Sequence, residues 1–218
     1  MNTTTFVQIT KLLERDPLIY RIFKNCPYQI LKNIDMRYYK AGEFLLTYEK
    51  LNNRIFFIVD GHAEHFVVSE CGKKYCLGTY KKGAFVGTSF HSASISNTSS
   101  IIAKGPLTTL ELNPAAFENW LDLDRNLSHY FTQYLNQNCS DALKQLEELT
   151  LYTLRQRIYR FLLENADENG IIRKTISIEL LSESMGVTSR SVQRILKEFK
   201  DEEIIIYNGT NIILPRQQ

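Results

Sequence analysis

Apolar residues recur at helical spacing at the start of the chain, at Phe6, Ile9, Leu12 and Leu13, and Pro17 and Pro27 divide residues 6–33 into short helical pieces. From Arg37 to about Asn113 the pattern changes to short β-rich runs: Phe44-Leu45-Leu46, Ile55 to Val59, His65 to Val68, Tyr75-Cys76-Leu77, Phe85-Val86, Ile101-Ile102 and Leu107 to Leu112. Turn signals separate them, at Ala41-Gly42, Asp60-Gly61, Cys71-Gly72-Lys73, Lys82-Gly83 and Lys104-Gly105-Pro106. Many short strands with regular breaks predict a barrel, a sandwich or a roll. Asn113-Pro114 then opens a helix, with Asn as N-cap and Pro in the first turn.

Between Asn126 and Thr150 there is neither Gly nor Pro. Leu127, Phe131 and Tyr134 begin an apolar stripe that continues as Leu135, Cys139, Ala142, Leu146 and Leu149, in alternating steps of four and three. A helix of ~25 residues is ~37 Å long, too long for a small β-domain to cover, so a second helix of the same kind is expected against the stripe. The last third restarts with a helix marked by Leu154, Ile158, Phe161 and Leu162 and ending near Asn165. Asn169-Gly170 signals a hairpin that pairs Ile171-Ile172 with Thr175-Ile176-Ser177, and Asn208-Gly209 joins Ile204 to Tyr207 with Asn211 to Leu214 as a two-stranded wing.

Between the two turns lie two short helices. Ser177 caps Ile178 to Met185, Glu179 sits in its first turn, and Gly186 ends it where a left-handed residue is needed. Thr188 caps the next, with Val187, Val192, Ile195, Leu196 and Phe199 directed inward. Ser189, Arg190, Ser191, Gln193, Arg194 and Lys197 supply the polar face and its flanks. A short turn between two helices, the second polar on one side, is a helix-turn-helix. Residues 188–200 carry Arg190, Arg194, Lys197 and Lys200 against Glu198, a net +3. Such a face attracts phosphates by counterion release, and Arg and Gln can bond guanine and adenine edges in pairs.

Composition adds limits. With 218 residues, 44% hydrophobic and 23% charged, the chain is long enough for one large domain or two small ones. The net charge of +2 means that any DNA-binding surface is local. No apolar run approaches the ~18–20 residues of a membrane span, and Met1 to Thr5 lacks a signal core, so a cytoplasmic location without membrane contact is expected. Cys26, Cys71, Cys76 and Cys139 form no CxxC pair. His62 and His65, three apart on a strand, face opposite ways, and His91 is a lone loop histidine, so no metal site is expected. There is no Walker-type phosphate loop, no HExxH and no GxSxG, and hence no catalytic residue or cofactor to name.

Over nearly its whole length the chain resembles the Crp-Fnr family of bacterial regulators. Residues Gly186 to Lys197, GVTSRSVQRILK, are similar to that family's recognition motif. Phe57-Ile58-Val59-Asp60-Gly61, Glu70-Cys71-Gly72-Lys73 and Lys82-Gly83-Ala84-Phe85-Val86-Gly87 are similar to its strand-and-glycine signatures. The resemblance implies an α+β chain in three parts. These are an N-terminal antiparallel β-roll of the cyclic-nucleotide-binding type (residues 1–113), a long dimerisation helix region (114–150) and a C-terminal winged helix-turn-helix (151–218). It implies a dimeric, sequence-specific transcription regulator whose partners are double-stranded DNA with a palindromic operator, a second copy of the chain, and RNA polymerase. It puts Ser189, Arg190, Gln193 and Arg194 on base edges, with Arg190 standing where many members carry Glu.

The effector pocket implied by the resemblance comprises Phe85, Gly87, Thr88, Ser89, Asn97 and Thr98. Cyclic-nucleotide-binding members follow the glycine with Glu, for the ribose hydroxyl, and carry an Arg-Ser pair about ten residues on, for the phosphate. Here Thr88 follows Gly87, Asn97 and Thr98 stand at the Arg-Ser positions, and residues 88–102 contain neither Lys nor Arg. A buried anionic phosphate would lack its countercharge, so the effector is expected not to be cyclic AMP. The iron–sulfur members carry an N-terminal cysteine cluster, of which Cys26 alone is present. The competing reading is a small-molecule or thiol-redox sensing module acting mainly through protein contacts, with Cys71 and Cys76 flanking a turn.

Overall fold

The computed structural model describes residues 3–47, 54–70, 72–87, 99–168, 170–172, 176–207 and 212–215. Two compact units emerge: one comprises Met1–Val67 and Leu77–Ser140, the other Val68–Cys76 and Asp141–Gln218. In the first, α1 (Thr3–Arg15), α2 (Pro17–Phe23) and α3 (Tyr28–Leu31) break at the two prolines. Asp16 caps α2, accepting from the Leu18 and Ile19 amides at 3.1 and 3.3 Å. Its carboxylate pairs with Lys82, which holds the acid below its ordinary range, helped by the two amide bonds and opposed by burial.

Eight strands follow: β1 (Asp35–Tyr39), β2 (Phe44–Thr47), β3 (Ile55–Asp60), β4 (His62–Val68), β5 (Lys74–Lys81), β6 (Phe85–Val86), β7 (Ser99–Ala103) and β8 (Leu107–Leu112). They form two four-stranded sheets, ordered β1-β8-β3-β6 and β2-β7-β4-β5. β8 pairs antiparallel with β1 and β3, β3 with β6, and β7 with β2 and β4. The run Ile55 to Val59 does not alternate because the first sheet is covered on both faces. Ile55, Phe57 and Val59 enter a core shared with the helices, while Phe56 and Ile58 meet Leu45, Ala63, Ile101 and Ala103 of the second sheet. This is the antiparallel roll. The mixed run Asp35–Tyr39 gave no strand signal; its register against Leu107–Glu111 makes it one.

Asn113 caps α4 (Pro114–Leu123), accepting from the Ala116 amide at 2.7 Å. Buried Asp124 then separates α4 from α5 (Arg125–Leu151). One of its oxygens accepts from the Asn126 amide at 2.9 Å and the other from Trp120 Nε1 at 3.2 Å. The second unit contains α6 (Leu154–Asn165), α7 (Ile178–Met185), α8 (Ser189–Asp201), β9 (Ile206–Tyr207) and β10 (Ile212–Ile213), around its own core of Ile158, Leu162, Leu181, Val192, Phe199 and Ile212. Among the described residues no helix is long and apolar enough to cross a membrane.

A carboxylate is sunk into the roll. Glu111, 2% exposed, accepts from Tyr39 Oη at 2.5 Å and Thr109 Oγ1 at 3.1 Å. Arg37 Nε lies 3.4 Å from its second oxygen, and Arg54 Nη1 3.9 Å. Arg54 also binds Asp35 at 2.7 Å, so the cluster ties β1 and β8 to the residue that leads into β3. Burial, with the carboxylate beside it, pushes the Tyr39 phenol well above its ordinary range. Truncating Glu111 leaves the Tyr39 and Thr109 hydroxyls without their acceptor, while both arginines retain contact with water. Glu111→Ala is therefore expected to cost ~1–3 kcal/mol, checked by urea unfolding followed by circular dichroism, with Glu111→Gln closer to wild type.

Candidate nucleic-acid interface

Short-range rules position the two helices of the turn. Ser177 Oγ accepts from the Leu180 amide at 3.0 Å at the start of α7. Gly186 closes that helix in the left-handed region, at φ +67°, where a side chain on the α-carbon would be strained. Thr188 then caps α8, accepting from the Ser191 amide at 3.3 Å with its hydroxyl 3.0 Å from that of Ser191. Val192, Ile195, Leu196 and Phe199 are buried on one side of α8. On the other, Ser189, Arg190, Gln193, Arg194, Lys197 and Lys200 are exposed. Arg190, Gln193, Arg194 and Lys197 follow the i, i+3, i+4, i+7 spacing of a single helix face, so the predicted polar face is one continuous basic stripe.

The stripe has support that the sequence reading did not assign. Arg194 Nη1 donates to Glu198 Oε1 at 2.6 Å. The other Glu198 oxygen lies 3.5 Å from Arg155 Nη1, on α6, and Arg155 Nη2 donates to Glu202 at 2.5 Å. The Arg155 guanidinium also lies 4.6 Å from the centre of the Phe199 ring, a cation–π contact on the last buried residue of α8. The i, i+4 spacing of Arg194 and Glu198 was a readable signal. The participation of Arg155, more than 40 positions away, had none.

Beside the turn, β9 and β10 pair antiparallel, Tyr207 with Ile212 and Ile206 with Ile213. The loop between them, including Asn208, Gly209 and Asn211, lies outside the described residues, as do Asn169 and Thr175. Ile171, expected against residues 175–177, bridges Ile213. The Leu214 amide donates to the Gly170 carbonyl at 2.9 Å, and a Cβ on Gly170, at φ +74°, would meet the Leu214 oxygen at 2.2 Å. Gly170 thus adds a backbone contact to the wing. Local turn chemistry predicts that the chain reverses there but not which distant strand it meets.

In the first unit Phe85 is buried on the helix side of its sheet, against Phe57, Phe117 and Phe131, at ring centres 5.0, 5.2 and 5.5 Å away. Gly87, at φ +98°, abuts the Arg54 carbonyl so closely that a Cβ would come within 2.7 Å. Thr88, Ser89, Asn97 and Thr98 lie outside the described residues, as do His91 and Cys71. No sequence signal marked a polar contact in the second sheet: His65 Nε2 lies 2.5 Å from the hydroxyl of buried Ser99, and the His65 ring stacks on Tyr80 at 6.2 Å. Burial holds the imidazole below its ordinary range. Burial also pushes the Cys26 thiol up to about 12, with the Asp124 charge adding to the effect, which leaves little nucleophilic thiolate. Cys76 is half-buried and Cys139 exposed. Among the described residues no group of three His, Cys, Asp or Glu side chains could hold a metal.

On α5 the candidate stripe divides. Phe131 packs inside its own unit, 5.1 Å from Phe117. Leu135, Cys139, Ala142, Leu146 and Leu149 are exposed, Leu146 at 60%.

Comparison with known proteins agrees with this architecture. Residues 36–124 match the family described as the cyclic nucleotide-binding domain, and residues 156–218 match the Crp-like helix-turn-helix domain; together they cover more than half of the chain. No curated protein sequence matches it. Three solved structures share the fold at low identity. The c-di-GMP responsive global regulator CLP of Xanthomonas campestris superposes with a TM-score of 0.72 at 13% identity, over 92% of this chain and 99% of that one. A crp/fnr family regulator from Eubacterium rectale gives 0.68 at 16%, over 88% and 92%. A CRP/FNR family regulator from Thermus thermophilus gives 0.61 at 20%, over 83% and 93%. With a roll, a long helix and a helix-turn-helix in the family's order, the chain belongs to the Crp-Fnr family of DNA-binding transcription regulators.

Proposed function

We propose that the protein is a homodimeric, sequence-specific regulator that reads a palindromic operator with α8 and answers to an effector other than cyclic AMP. Residues 1–113 serve as the sensor, 114–150 as the dimer helix region and 151–218 as the reader, acting in the cytoplasm. The observation that carries the reading is the basic stripe of α8, exposed opposite a fully buried stripe of the same helix. A helix fixed in this way can enter the major groove with its N-terminal half on the bases. Arg194 and Gln193 then read base edges, while Lys197 and Lys200, farther along, meet phosphates.

Dimerisation rests on α5. Leu135, Ala142, Leu146 and Leu149 expose a line of apolar surface at heptad-like spacing, which a parallel copy of the same helix would cover. Exclusion of cyclic AMP rests on Thr88 and Asn97 and on the lack of any Lys or Arg in residues 88–102. A buried cyclic phosphate there would have no cation to pair with.

Three outcomes are expected. Sedimentation should give about twice 25.3 kDa at micromolar concentration, and Leu146→Glu should shift it towards monomer and weaken DNA binding; a wild-type monomer throughout would refute the dimer. Calorimetry with cyclic AMP should detect no binding tighter than millimolar, and a micromolar constant would overturn the reading of residues 88–102. The operator, selected from genomic fragments, should contain two half-sites ~34 Å apart. On it Arg194→Ala should cost ~1–3 kcal/mol and relax the preference at one base pair per half-site. Lys200→Ala should weaken all sequences alike and lower the salt slope by about one. Equal losses on operator and random DNA for Arg194→Ala would make Arg194 a phosphate contact instead.

A further inference from the structure

The reading of Arg194 as a base-contacting side chain leads to a second residue of the same helix. We propose that Glu198 is a specificity-determining positioning residue, which holds the Arg194 guanidinium over the bases and keeps it from the flanking phosphates. Arg194 is two-thirds exposed, with a long side chain that has many rotamers to lose on binding. Left free on a basic helix, it would find a phosphate on any duplex. Instead one of its terminal nitrogens is committed to Glu198 at 2.6 Å. Nε and Nη2, the remaining edge of the fork, keep the geometry that bonds guanine O6 and N7 in a pair.

The carboxylate is itself anchored from behind. Its second oxygen faces Arg155 at 3.5 Å, and Arg155 is fixed by Glu202 at 2.5 Å and by the Phe199 ring at 4.6 Å. Glu198 therefore does not swing out with Arg194. In water an exposed ion pair with this spacing is weak. Against DNA the pair loses water and gains a neighbouring polyanion, and separating it would leave Glu198 facing phosphate with one cation fewer. Bonding guanine through the free edge keeps the pair; diverting Arg194 to a phosphate breaks it. The carboxylate thus acts against wrong sequences more than for the right one.

The test measures affinity for the selected operator and for a scrambled duplex across a salt series, with wild type, Glu198→Ala, Asp201→Asn, Arg194→Ala and the Arg194/Glu198 double variant. Glu198→Ala should tighten the scrambled duplex roughly five- to ten-fold near ~0.1 M salt and steepen its salt slope by about 0.9, the signature of one added phosphate contact. Operator affinity should change by less than about twofold, the scale of an exposed ion pair, so the specificity ratio falls. Asp201→Asn removes the same charge farther along the helix, at an exposed residue outside the Arg155 anchor, and should leave the ratio unchanged. In the Arg194→Ala background the Glu198 substitution should also leave it unchanged. Equal changes on both duplexes, a matching effect of Asp201→Asn, or a persistent effect without Arg194 would each overturn the proposal. Should Arg194→Ala alone leave the operator preference intact, the base-reading role of Arg194 fails, and this inference fails with it.

Discussion

Val192, Ile195, Leu196 and Phe199 are almost wholly withdrawn from water along one side of α8, and what the opposite side can do depends on that burial. Each such side chain contributes on the order of 1.5–3 kcal/mol relative to exposure. Together they fix the rotation of the helix about its own axis. A turn of the helix by one residue, about 100°, would carry the basic stripe out of register with a groove and lift apolar groups into it. The caps at Thr188 and Gly186 set where α8 begins; the core below sets which way it faces. The charges of Arg190, Arg194 and Lys197 act as a patterned surface only because both are fixed.

This division also explains what the sequence disclosed. Pro17, Asn113-Pro114, Ser177, Gly186 and Thr188 act on the backbone within four residues of themselves, so their meaning could be read locally and the structure places the caps and breaks there. The 3.6-residue period of α8 and the short strands of the roll were legible for the same reason. Three features were not. Asp35–Tyr39 is a strand because of its partner β8, and its own residues alternate poorly. Glu111 resembles any surface glutamate until Tyr39, Arg37 and Arg54 are brought around it. Arg155 joins Glu198 only because α6 packs beside α8. In each case the deciding neighbour is dozens of residues away, and no local pattern encodes it.

The α5 helix has two different surroundings along its length. Its first half is cemented by aromatic and hydrogen-bonded contacts: Tyr130 Oη donates to the Gly83 carbonyl at 3.0 Å, Tyr134 Oη to the Phe85 carbonyl at 2.8 Å, and Phe131 sits edge-on to Phe85 and Phe117. Its second half carries leucines in water. The Gly83 carbonyl lies just before the strand that leads into residues 88–98, and the Phe85 carbonyl within it. A shift of that strand would therefore be felt by the helix through two short polar contacts and a cluster of stiff rings, groups that transmit displacement better than flexible aliphatic chains.

Trp120 is the only tryptophan in the chain, and it lies fully buried in the first unit, its ring 4.8 Å from Phe23 and its indole nitrogen on Asp124. The second unit carries tyrosine but no tryptophan. Long-wavelength excitation, which tyrosine does not absorb, therefore addresses one unit alone. The emission colour of the indole registers whether water has entered the space between sheet and helices, and is silent about the helix-turn-helix. The chain carries a built-in optical label that separates the melting of one unit from the melting of the other.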